Sequence, residues 1–159
     1  MNIEYKIIKT TDLKIKDTKD ISNILIEHID TEYVKVYPKD VLIDFKKNGH
    51  FSNIINRFSD NRVTYYATIN GEIIGMLSLL NNELRTFHVS NKYRGKGIGK
   101  ELLKNIIHEN GNNKLKVKAL LSAISIYEKL GFQKHSIEDV NTAEGNATYQ
   151  VQIMYLETK

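Results

Sequence analysis

Hydrophobic positions along this chain switch between two periods. After a short strand-like run from Tyr5 to Lys9, Ile21, Ile24, Leu25 and Ile29 recur at helical spacing from Asp17 onward. Pro38 opens a second helical stretch, since its fixed φ suits a first turn. Val41, Leu42 and Phe45 share one face of that stretch, and Gly49 stops it. Phe51, Ile54, Ile55 and Phe58 fall at i, i+3, i+4 and i+7 and predict a third, short helix. The period then drops to that of strands. Val63 to Ile69 and Glu72 to Leu80 are rich in β-branched and aromatic residues, and Asn70-Gly71 between them is a strong hairpin signal. Asn81-Asn82 makes another turn before a strand from Glu83 to Val89, so these three strands predict an antiparallel meander. A helix from about Gly97 to His108 buries Ile98, Leu102, Leu103, Ile106 and Ile107, and Asn110-Gly111 ends it. Leu115 to Ala119 reads as a strand and Ser122 to Leu130 as a helix stopped by Gly131. Strands from Phe132 to Val140 and Thr148 to Leu156 complete an α/β layer fold with one mixed sheet.

Composition narrows the function. The 159 residues suit one domain, 1–159, large enough to bury a core unaided. There is no cysteine, which removes disulfides, thiolate metal sites and a cysteine nucleophile. The first residues, Met1 to Lys6, lack a signal-peptide layout, and no apolar run approaches the roughly 20 residues of a membrane span. A cytoplasmic location with no membrane partner is the expectation. The net charge of +4 is first of all that of a solvated, Lys-rich surface, and the sharper reading of it is an anionic ligand such as a nucleotide phosphate. Nucleic acid is not expected, because Lys and Arg are spread along the chain rather than clustered.

The chemistry concentrates between the meander and the next helix, in Val89-Ser90-Asn91-Lys92-Tyr93-Arg94-Gly95-Lys96-Gly97-Ile98-Gly99-Lys100. Closely spaced Gly95, Gly97 and Gly99 let the backbone turn sharply and approach a ligand. The unpaired first N–H groups of the helix and its dipole face the same loop. Arg94, Lys96 and Lys100 add formal charge, so the segment is a seat for a pyrophosphate. It is not a Walker A loop: only three residues separate Gly95 from Gly99, and Glu101 follows Lys100 where a hydroxyl is needed. Nor does Gly-x-Gly-x-Gly fit the dinucleotide fingerprint.

Arg94-Gly95-Lys96-Gly97-Ile98-Gly99 resembles the central signature of the GNAT superfamily of acyl-CoA-dependent N-acetyltransferases. A second stretch, Ala123 to Phe132 ending in Tyr-Glu-Lys-Leu-Gly-Phe, resembles another motif of that family about thirty residues on. The resemblance implies a GNAT fold, with a mixed, mostly antiparallel sheet flanked by helices and splayed into an acetyl-CoA cleft. It implies that the main chain of Phe87, His88 and Val89 holds the pantetheine arm. The segment Arg94, Gly95, Lys96, Gly97, Ile98, Gly99 and Lys100 would hold the pyrophosphate. One departure stands out: Leu120 or Leu121 occupies the place where many members have Asn or Gln.

Acetyl transfer requires a neutral amine, a donor for the oxyanion and a proton for the departing thiolate. By resemblance Tyr127 supplies that proton and a main-chain N–H, that of Val89, stabilises the oxyanion. Glu83 is the expected base, acting through water, and His88 is the other candidate because its ordinary pKa suits neutral pH. Glu27, His28, Glu32, Tyr33 and Tyr37 are placed by resemblance beside the acceptor. No metal is required, and the expected partners are acetyl-CoA and an amine, a small molecule in preference to a protein. A non-catalytic acyl-CoA-binding sensor would keep the loop without needing Tyr127, and a regulator binding another phosphate ligand is a third possibility. A monomer or a homodimer is expected, the latter pairing through Thr148 to Leu156 if that strand forms an apolar edge.

Overall fold

The β-branched and aromatic runs form strands β1 (Glu4–Ile7), β2 (Val63–Ile69), β3 (Glu72–Leu80), β4 (Glu83–Val89), β5 (Leu115–Leu120), β6 (Gln133–Asn141) and β7 (Thr148–Leu156) in a computed structural model that describes residues 1–111 and 113–158. The helices are α1 (Ile15–Thr31), α2 (Lys39–Gly49), α3 (Ile54–Arg57), α4 (Ile98–Glu109) and α5 (Ile124–Lys129). The strands join into one sheet in the order β1-β2-β3-β4-β5-β7-β6. Only β4 and β5 run parallel. Asn70 and Gly71, and then Asn81 and Asn82, all adopt positive φ, which matches the strand twist at the two tight turns of the meander.

Helices cover both faces. Leu102, Leu103 and Ile106 of α4 pack on Ala67, Leu77 and Val117, in a core that also takes in Tyr127 of α5 and Phe132. On the other face, Ile21, Ile24 and Leu25 of α1 and Ile54 of α3 pack on Tyr66, Ile73 and Met76. The start of α1 is fixed by Asp17, whose carboxylate accepts the Lys14 N–H at 2.8 Å. Beyond the second core, α2 buries Val41 against Tyr37 and Ala147, with Phe45 and Tyr149 at the margin. No helix among the described residues is long and apolar enough to cross a membrane.

The last strand is not an edge. β7 lies between β5 and β6, so its backbone is paired on both sides. The exposed edge beside it is β6, Gln-Lys-His-Ser-Ile-Glu-Asp-Val-Asn, whose alternation is mostly polar. The expected dimer through Thr148 to Leu156 therefore has no free strand to use.

Candidate active site

The sheet opens because β4 carries one residue too many. The parallel pairing of β4 with β5 consists of Glu83 with Lys116 and Leu84 with Val117, and it goes no further. On its other side, Leu79 pairs with Leu84 and Leu77 with Phe87, so two steps of β3 match three of β4. The surplus at Arg85-Thr86 is a β-bulge, which bends and twists its strand. β4 leaves β5 at that bulge. Past it, the Ser90 N–H donates to the Ile74 carbonyl at 2.9 Å. Alternation along an antiparallel ladder then turns the main chain of His88 toward β3, where it faces Met76, and those of Phe87 and Val89 into the gap. Of the three residues expected to offer main chain to a ligand, His88 is thus committed to the sheet.

The glycine loop follows. Gly97 is the N-cap of α4 at φ 78°, and no side chain caps the helix. Its carbonyl accepts the Glu101 N–H at 3.1 Å, so the N–H groups of Ile98, Gly99 and Lys100 have no helical partner. Nothing lies within 4 Å of where a Cβ would stand at Gly97, whereas at Gly99 a Cβ would come 3.2 Å from the Phe87 ring. Gly97 therefore serves the turn and Gly99 the approach of α4 to β4. Lys96 and Lys100 are exposed, and the Lys96 Nζ stands 5.7 Å from the Tyr93 ring centroid. Arg94 departs from expectation. Its guanidinium turns back to α1 instead of over the loop, with Nη1 3.3 Å from Glu32 and Nε donating to the Val89 carbonyl at 3.4 Å.

Two cavities flank the splayed part of β4. The first, about 290 Å³, is lined by the loop glycines, Phe87, Val89, Arg94, Ser122 and Ile126. The second, about 340 Å³, lies between α1, α2, α3 and the β6–β7 end, with Glu83, Arg57, Phe45 and Tyr149 in its wall. Tyr33 and His88 line both. The Tyr37 hydroxyl braces this junction: it donates to the Gln150 carbonyl at 3.1 Å and accepts the Leu121 N–H at 2.9 Å.

His88 does not stand alone. Its Nδ1 lies 2.7 Å from Nδ1 of His28, and His28 Nε2 lies 2.9 Å from the Val89 carbonyl. Arg94 Nη2 approaches the same His28 Nε2 at 3.0 Å. Burial, reinforced by Arg94, holds the His28 pKa below its ordinary value. Burial also pushes His88 well below 6.5, helped by His28, Arg57 and Arg94. Both rings are neutral at pH 7.

Tyr127 stands behind the first cavity, its ring 5.9 Å from Phe87 and 5.4 Å from Phe132. Burial, with a smaller contribution from Tyr33, raises its phenol well above the ordinary range, so it stays protonated. Glu83 sits where β4 is still pinned to β5, 3.4 Å from Arg85 and 3.8 Å from Lys116. Two residues entered no expectation. Ser122 lines the first cavity, its hydroxyl buried and without a hydrogen-bond partner among the described residues, while Leu120 lines the second cavity. The other is Arg57, whose place on a short amphipathic helix gave no signal beyond a polar position.

The acetyltransferase (GNAT) domain model matches residues 25–147, a span that holds the bulge, the loop and both cavities apart from Tyr149 and Val151. The chain belongs to the GNAT acetyltransferase family. As a GNAT protein it is an acyltransferase. The fold agrees with that of a GCN5-related N-acetyltransferase from Rhodopseudomonas palustris at TM-score 0.79 and 18% identity, covering 99% of this chain and 96% of that one. The PaiA N-acetyltransferase of Thermoplasma acidophilum, solved in complex with coenzyme A, matches at TM-score 0.70 and 21% identity over 99% of both chains. The ribosomal-protein-S18-alanine N-acetyltransferase of Escherichia coli matches at 0.64 and 20%, over 99% of this GNAT chain and 95% of its own. No curated protein sequence matches significantly.

Proposed function

We propose that residues 1–159 form one N-acetyltransferase domain that moves an acetyl group from acetyl-CoA to a primary amine of a small molecule. The observation that carries this is the meeting of two cavities at His88 and Tyr33, beside the main chain of Phe87 and the N–H of Val89. The first cavity suits the cosubstrate. Its pyrophosphate fits the unpaired N–H groups at the start of α4, and the pantetheine amides fit Phe87 and Val89. The coenzyme A bound by the Thermoplasma protein is in keeping with this fit. The second cavity is walled by α2 and the β6–β7 end, which favours a small amine over a protein chain.

The amine attacks the thioester carbonyl directly in a ternary complex. The oxyanion of the tetrahedral intermediate is held by main-chain N–H in the gap, that of Val89 being in reach of the turn. The C–S bond then breaks, and Tyr127 hydrogen-bonds or protonates the leaving thiolate. The proton lost by the amine goes to His88, in preference to Glu83. His28 Nε2 has two neighbours of opposite kind, Val89 O at 2.9 Å, which can only accept, and Arg94 Nη2 at 3.0 Å, which can only donate; we take the tautomer in which Nε2 carries the hydrogen to Val89 O while Arg94 stays with Glu32. The bare His28 Nδ1 then accepts from His88 Nδ1, which leaves the lone pair on His88 Nε2 free as a base. Glu83, by contrast, lines only the second cavity and already faces two cations.

Calorimetric titration with acetyl-CoA, followed by thiol release across a panel of amines, tests this. Binding with amine-dependent release supports the enzyme. Binding without release from any amine points to an acyl-CoA-binding sensor, and absence of binding overturns the assignment of the loop.

A further inference from the structure

Arg57 ends α3 with its side chain in the wall of the second cavity. Among the described residues its guanidinium makes no hydrogen bond and no carboxylate stands within 4 Å of it; only its carbonyl is used, accepting from Arg62 at 3.0 Å. The nearby carboxylates are all engaged. Asp60 is held by Arg62 through two bonds of 2.6 Å. Asp44 accepts the Thr142 hydroxyl, and Glu83 faces Arg85 and Lys116. Burial, then Arg62, pushes the Arg57 pKa down to about 10, so the group is still a cation at pH 7. Tyr33, Tyr149 and His88 line the same cavity as Arg57. Arg85 and Lys118 line the same cavity, which adds to the positive side.

A partly buried charge without a counterion is costly, and a ligand anion removes that cost. The planar guanidinium fork matches a carboxylate through two parallel hydrogen bonds. The rest of the wall sets apolar and aromatic side chains (Leu25, Ile29, Phe45, Leu120, Tyr149 and Val151) beside the amides of Asn48 and Asn141.

We propose that the acceptor is an amino acid with an apolar or aromatic side chain, its carboxylate bound by Arg57 and its amine presented to His88. This rests on the acetyltransferase reading above and names its substrate class. Arg57 thereby sets which amines are used.

L-Phenylalanine, L-phenylalaninamide and phenylethylamine share an amine and a ring and differ in the carboxylate. Thiol release should favour phenylalanine in kcat/KM by about 10- to 100-fold, the range of a charge-assisted hydrogen bond. Arg57→Gln should erase that preference, mainly through KM, and be partly rescued by Arg57→Lys. Equal use of all three amines by the wild type overturns the proposal, as does an equal loss on all three in Arg57→Gln. A second measurement needs no turnover: calorimetric titration of phenylalanine into protein saturated with coenzyme A. Binding that Arg57→Gln abolishes supports the carboxylate site even if no amine is acetylated, in which case only the acetyltransferase reading fails. No phenylalanine binding to the wild type overturns the site.

Discussion

The two cavities beside β4 are made from different materials. The first is built from main chain: unpaired N–H groups at the start of α4, the backbone of Phe87 and the N–H of Val89 turned away from β3, and glycines that let a ligand come close. The second is built from side chains on α1, α2, α3 and the β6–β7 end, brought together from both ends of the sequence. A seat made of backbone tolerates most substitutions, since few side chains take part. A seat made of side chains can be altered one residue at a time. His88 belongs to both, its main chain held in the sheet and its ring at the junction.

The sharpest way to break this division is at the residue that joins the halves. His88→Gln should lower kcat by about 100- to 10,000-fold while leaving acetyl-CoA affinity close to that of the wild type. Steady-state kinetics beside calorimetry separate the two, and an unchanged kcat would remove His88 as the base. Gly97→Asp should act on the main-chain side alone. It forces a side chain into the left-handed region at φ 78° and brings negative charge to the phosphate seat, so affinity for acetyl-CoA should fall on the order of 100-fold. Tyr127→Phe should cost about 10- to 100-fold in kcat, with calorimetric affinity unchanged. A loss confined to thermal stability would make Tyr127 a packing residue.

Smaller effects sharpen the comparison through pH. The His88 pKa lies well below 6.5, so the acid limb of kcat lies below pH 6.5 as well, and the base is already free at neutrality. His28→Asn keeps an acceptor for His88 Nδ1–H but removes a neighbour that lowers its pKa. The limb should therefore move up toward pH 6.5, readable in a pH profile between 4 and 8. The same linkage governs stability. Both histidines titrate lower in the folded chain than in the unfolded one, so their contribution is complete above about pH 6.5 and is lost as pH falls through the folded values. Melting temperature should decline over that window, and less steeply in His28→Asn. Glu83→Gln should change kcat least, by under about threefold, if its carboxylate only pins the closed end of the sheet.

Legibility in the sequence followed the same division. The main-chain side depends on local order, and local order is visible: glycines at fixed spacing, a strand before them, an amphipathic helix after. The hairpin at Asn70-Gly71 and the stop at Gly131 were equally readable. The side-chain side depends on which distant residues meet, and no local pattern carries that. His28 and His88 are sixty positions apart and meet at 2.7 Å. Arg57 entered no expectation, because nothing local sets it apart from any other polar position on a short helix. The place of β7 was misjudged for a related reason, since the last strand to be made need not lie at the margin of the sheet. Arg94 was assigned by its neighbours in the loop, but its long side chain reaches back to Glu32, just past the end of α1.

The bulge at Arg85-Thr86 gives the opening an unusual heritability. It is encoded by how many residues the strand contains, not by which ones, so no single replacement there can close the sheet; only a deletion can. Side chains around the second cavity can therefore be exchanged without shutting the first.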